Sequence, residues 1–122
     1  MLRRLLLVLL LAGCTTTAKY DSAEYKYYVE IYLLAQETEA ACGNPAKVQP
    51  LLERMYAVED KLDVYTYHRP DEDSKAFSLT MTRLIRSSNT IAKSSVGFCR
   101  EATKNIQDAA RRIMQTLGRR EQ

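Results

Sequence analysis

Few side chains in this 122-residue chain could do chemistry, and their spacing argues against a catalytic centre. His68 is the single histidine, and it sits in Thr66-Tyr67-His68-Arg69-Pro70, a helix end or loop where an imidazole is ordinarily solvated. A general base would need a hydrogen-bonded partner that orients it. Asp71-Glu72-Asp73 brings carboxylates together, but without the ligand spacing of a calcium loop. The run suits the start of a helix, where it supplies caps and favourable negative charge. The three cysteines, Cys14, Cys42 and Cys99, form no C-x-x-C pair, so neither a redox motif nor a zinc site is indicated. Four glycines form no phosphate-cradling loop, and H-E-x-x-H and serine-nucleophile signatures do not occur. The expectation is a protein that is not an enzyme and needs no cofactor and no metal.

The N-terminus carries the most specific signal. Arg3 and Arg4 precede an apolar run of seven residues, 5–11. A run of that length falls well short of the roughly 20 residues that span a bilayer, but it suits a secretory signal. Leu11-Ala12-Gly13-Cys14 then resembles the bacterial lipobox. The resemblance implies lipidation of Cys14, cleavage before it and acylation of the new amine. An ordinary signal peptide with an incidental cysteine is the alternative. Several acyl chains would hold the protein on a membrane, where one chain binds only marginally. Thr15 follows the cysteine in place of the aspartate that favours inner-membrane retention in enteric-type sorting. The expected location is therefore the outer membrane, lipid-anchored and facing the periplasm. The organisation reads as a signal peptide at 1–13, a lipidated tether at 14–20 and a helical domain at 21–122.

With Cys14 assigned to lipid, Cys42 and Cys99 remain as an even pair in an exported chain. The periplasm is oxidising, so a disulfide between them is expected. In the chain-entropy description, closing a loop of that size stabilises the fold by about 4 kcal/mol. Removing Arg3 and Arg4 with the signal also changes the charge balance. Residues 15–73 carry 6 basic and 12 acidic side chains, and residues 74–122 carry 10 basic and 3 acidic. The two halves of the mature chain have opposite sign.

The elements that must position these residues read as helices throughout. Asp21 with Glu24 three residues later resembles a capping box with Asp in the Ser/Thr place. Tyr25, Tyr28, Tyr32, Ala35 and Cys42 then recur at helical spacing, widened by Tyr27, Ile31 and Leu34. Gly43 and Asn44-Pro45 end this helix and restart the next. Leu51, Met55, Val58, Leu62 and Tyr65 define a second helix from near Asn44, loosened at Pro50 and closed before Pro70. From Phe77 to Leu117 the apolar residues keep a 3.6-residue period without losing phase. That continuity argues for one long, kinked helix, whereas Lys93-Ser94-Ser95-Val96-Gly97 suggests a turn at Gly97 and a fourth helix. The fold class is all-α: a small antiparallel bundle of four helices, or three with a long C-terminal helix. In either layout helix 1 ends level with Cys99.

Two surface features could recognise a partner. Eight tyrosines occur against two phenylalanines and no tryptophan. Tyr25, Tyr28 and Tyr32 share a face, so with Leu34 and Tyr56 they form a candidate strip for a partner helix. The plain alternative is that these are core-edge rings with wet hydroxyls, or rings dipping into headgroups. Arg83, Arg86, Lys93, Arg100, Lys104 and Arg111 form a basic series, either a solvated face or a contact for an anionic surface such as lipid headgroups. Nucleic acid is not expected in this compartment.

The layout also resembles the helical pilotins of type II secretion, small outer-membrane lipoproteins built as disulfide-linked four-helix bundles that bind a C-terminal segment of a secretin subunit. The shared features are the lipobox ending at Cys14, a first helix ending at Cys42 and the late Cys99; beyond that pair no binding residues carry over. The expected function is that of a lipid-anchored periplasmic helical protein that binds or chaperones another envelope protein. The alternative is a structural or exclusion lipoprotein of a phage, plasmid or secretion locus without a groove-bound partner.

Overall fold

A computed structural model describes residues 20–88 and 90–120, and Cys14 with the expected signal peptide lies outside them. The described residues form α1 (Ser22–Ala41), α2 (Pro45–Tyr67), α3 (Glu72–Ser87) and α4 (Val96–Gly118), with a 3-10 turn at Ile91–Lys93. They contain no strand. The all-α expectation holds, and of the two layouts the four-helix bundle is the one adopted.

Local sequence explains the helix limits. The Asp21 carboxylate accepts hydrogen bonds from the backbone N–H groups of Ala23 and Glu24 at 2.9 and 3.1 Å, satisfying donors left open at a helix start. Glu24 does not complete the reciprocal half of a capping box; its carboxylate turns inward instead. Gly43 follows the end of α1 with φ +95°, a left-handed conformation that side chains resist. Pro45 then opens α2 in the first turn, where a missing N–H costs nothing. Pro50 stays inside α2 on an exposed position, so the helix tolerates it near its solvated start.

Short connections send each helix back along its predecessor, and the helices close into a ring. α1 packs on α4 and α2, α3 packs on α2 and α4, and the backbones of the diagonal pairs stay further apart. The α3–α4 seam is the thinnest of the four. Tyr28, Ile31, Met55, Leu62, Met81, Ile85 and Ile106 fill the main core. A smaller cluster of Val48, Leu52, Ile91, Ala92 and Cys99 plugs the end where the disulfide lies. Cys42 and Cys99 are bonded, joining the end of α1 to the first turn of α4 across a sequence separation of 57.

The unbroken apolar period does not mean an unbroken helix. α3 ends at Ser87, where the Ser88 N–H and hydroxyl both donate to the Ile85 carbonyl. Ser95 restarts the chain as N-cap of α4, accepting from the Phe98 N–H at 3.2 Å. Ile91 and Ala92 stay in phase because they are buried against α2 as the plug of that end, not because they belong to a long helix. Gly97 is not the turn either: it lies in the first turn of α4, and a Cβ there would meet nothing within 4 Å.

These two glycines should therefore respond oppositely to alanine. Gly43→Ala forces a side chain into the left-handed region with its Cβ 3.1 Å from Val96 Cγ2, a loss of about 1–2 kcal/mol. Gly97→Ala should gain about 0.5 kcal/mol through reduced backbone entropy of the unfolded chain. Urea midpoints of the two variants, compared with the parent, check both signs.

Candidate functional site

The antiparallel topology gathers the charged helix ends at one pole of the bundle, opposite the disulfide. The starts of α1 and α3 present N–H groups there and the ends of α2 and α4 present carbonyls, so acids belong on the former and bases on the latter. Arg120, just beyond α4, bridges Glu24 of α1 at 2.9 Å and Asp73 of α3 at 2.5 Å. Glu24 is 0% exposed and the Arg120 side chain only 6%. Arg69, beyond α2, pairs with Asp21 at 2.8 Å and with Asp71 at 2.6 Å, and the Tyr65 hydroxyl donates to Asp21 as well. Asp71 and Asp73 are thus drawn into ion pairs. Asp71 stands at the N-cap of α3 without capping it, contrary to the capping role expected for the Asp71-Glu72-Asp73 run. Of the backbone N–H groups at this helix start, the Asp73 carboxylate reaches only that of the adjacent Ser74.

These partners set the local proton affinities. Burial by itself raises Asp21, but the Tyr65 hydroxyl, the Glu24 and Ala23 N–H groups and the Arg69 charge outweigh it and hold Asp21 below its ordinary 3.8. The same hydrogen bond, with burial second, pushes Tyr65 up to about 12. Burial and then the Glu24 charge keep Tyr28 protonated far above the usual tyrosine range. Glu24 Oε2, the Tyr28 hydroxyl and Ser78 Oγ are buried without a hydrogen-bond partner among the described residues. Among the described residues no group of His, Cys, Asp or Glu is arranged to hold a metal ion. His68 is exposed, edge-on to Tyr67 with ring centres 5.3 Å apart.

The tyrosine strip is divided between the core and the surface: Tyr25 lines an open cleft of about 450 Å³ with Arg111, Met114 and Gly118. Tyr28 and Leu34 are buried in the main core, and Tyr25, Tyr32 and Tyr56 pack half-buried against it. Arg111 lies 5.7 Å from the Tyr32 ring centre and Arg86 5.5 Å from that of Tyr56, close enough for cation–π attraction. The basic series is divided by the break between α3 and α4, where the 3-10 turn Ile91–Lys93 lies. Arg86 on α3 leans toward α2, bonding Glu59 at 3.0 Å and Asp60 at 2.6 Å. Arg100 and Lys104 on α4 instead flank α1, beside Gln36 and Glu39, and Arg111 pairs with Asp108 at 3.5 Å. Arg83 and Lys93 are exposed on α3 and the 3-10 turn. No continuous stripe results.

A groove that the sequence did not single out runs between α1 and α2. Leu34 and Val58 floor it, Leu33 and Ala57 line it, and Glu30 and Glu37 face Arg54 and Lys61 across it, enclosing about 450 Å³. It continues past Lys61 into a cleft of about 420 Å³ lined by Tyr27, Val64 and Tyr65. Leu33 is 50% exposed and Val64 64%, both large apolar side chains left in water. No ion pair joins the α1 acids to the α2 bases among the described residues. Of the strip expected from the sequence, Leu34 alone reaches this groove. The signal that could have found it is phase: Leu33 and Val64 are apolar residues off the core period of their helices.

Comparison of the chain with protein-family models, curated proteins and solved structures finds no match.

The buried pair at the charged pole gives a direct test. Arg120→Met leaves Glu24 uncompensated in the core and should cost about 3 kcal/mol. Adding Glu24→Gln to that variant should recover part of the loss, because no buried charge then remains. Denaturant unfolding of the single and double variants at neutral pH checks the order.

Proposed function

We propose that this chain is a lipid-anchored envelope protein that holds a helical segment of another envelope protein in its α1–α2 groove, a role like that of the pilotins its layout resembles. The observation that carries the proposal is the groove itself. An amphipathic partner helix needs an apolar strip with charge on its flanks, and Leu33, Ala57 and Val64 supply the strip. Glu30 and Glu37 on one wall and Arg54 and Lys61 on the other are unpaired with each other, so both walls remain available for opposite charges on a partner. The partner is therefore a helix with bases along the edge that meets α1 and acids along the edge that meets α2.

Anchoring comes from the Leu11-Ala12-Gly13-Cys14 sequence. Among the described residues no helix is long and apolar enough to cross a membrane. A disulfide pair suits an oxidising compartment. The disulfide and the lipobox resemblance together support a periplasm-facing outer-membrane location.

A photo-crosslinking amino acid placed at Leu33 or Ala57 in the native envelope should give one discrete adduct, and the same group at Leu79, exposed on α3, should give none. Charge reversal at Arg54 and Lys61 should reduce that adduct. No adduct from either groove position would overturn the proposal in favour of a structural or exclusion lipoprotein, which needs no groove-bound partner.

A further inference from the structure

We infer that the charged pole of the bundle, with Tyr67, His68 and Pro70 exposed on it and Tyr20 half-buried beside them, rests in the phospholipid headgroup layer of the membrane that holds the chain; this rests on the lipid-anchored reading above. The tether limits the separation. Cys14 and Tyr20 are six residues apart in sequence, so even a fully extended chain spans only about 20 Å. Tyr20 is at this pole, because its ring packs 5.9 Å from Tyr25, which in turn lies beside Gly118 at the end of α4.

The pole's polarity fits the same neighbour. Five carboxylates meet there, and left outward they would be repelled by anionic lipid and costly to dehydrate. Asp21, Glu24, Asp71 and Asp73 are instead held by Arg69 and Arg120. Glu72, 91% exposed, remains outward with Lys75 at 3.9 Å. Asp73 keeps about half of its side chain in water, 47% exposed, and Arg119 is exposed there as well. Beside them lies ring surface, with Tyr67 77% exposed and edge-on against exposed His68, and Pro70 exposed in the same loop. Tyrosine is enriched at the headgroup level of membranes because its ring is apolar and its hydroxyl wet. The opposite pole, around the disulfide, has no tether and lies a bundle length away.

The chain has no tryptophan, so one introduced indole reports its own surroundings. Full-length acylated protein carrying Tyr67→Trp, or Phe98→Trp at the opposite pole, is reconstituted in phosphatidylethanolamine–phosphatidylglycerol vesicles, and the Cys14 peptide is weighed first. The expected result is an acylated chain in which Y67W emission is blue-shifted and largely extinguished by brominated lipid while F98W emission is not. Equal, weak quenching of both on an acylated chain would overturn the headgroup contact and leave the anchor standing. A Y67W blue shift that follows protein density and ignores bromination would assign the pole to a second copy, which also overturns it. An unmodified Cys14 would overturn both the anchor and the contact.

Discussion

The bond between Cys42 and Cys99 fastens the end of the first helix to the opening turn of the last, and the remaining geometry is arranged around that constraint. α1 and α4 share the most extensive seam in the ring, and both are held in register from one pole by a covalent link. The loop it closes contains α2, α3 and the 3-10 turn, so those elements fold back under a fixed span. Ile91 and Ala92 then fill the space beneath the bond with Val48 and Leu52. A domain of this size has a modest core, and a cross-link that removes freedom from the unfolded chain is a large part of its stability.

The other pole is held by charge. An up-down-up-down path brings acids from helix starts and bases from helix ends to the same place. The acidic first half of the chain and the basic second half meet there through Arg120, Glu24 and Asp73, and again at mid-height through Arg86, Glu59 and Asp60. The opposed signs of the two halves are thereby partly used inside the molecule. The basic series is divided by the break between α3 and α4, and at the carboxylate-rich pole Tyr67 stands exposed alongside Glu72.

Much of the fold was legible because helix signals are local. Asp21, Gly43, Pro45 and Pro70 mark ends through cap and backbone chemistry, and the Met55-Val58-Leu62 spacing marks a buried face. The disulfide was legible from cysteine count and compartment once Cys14 was set apart. The break before α4 was legible only as one of two layouts, because burial, not helicity, sets the apolar period at Ile91 and Ala92. The tyrosines were legible as core-edge rings for Tyr25, Tyr32 and Tyr56, but not for Tyr28, whose polar hydroxyl lies fully inside. The α1–α2 groove depends on which off-phase residues stand beside each other on two helices, and a single helix's periodicity does not contain that.

A stapled, ring-closed bundle offers a rigid surface on which a groove can stay preformed, and rigidity lowers the cost of ordering a bound helix. The function proposed for the α1–α2 groove therefore depends on the staple. Equilibrium unfolding in denaturant, with and without reductant, tests that dependence most directly. Reduction of Cys42–Cys99 should remove about 4 kcal/mol of stability, with amide protection lost first in the opening turn of α4. Equal stability of the oxidised and reduced chains would contradict the account.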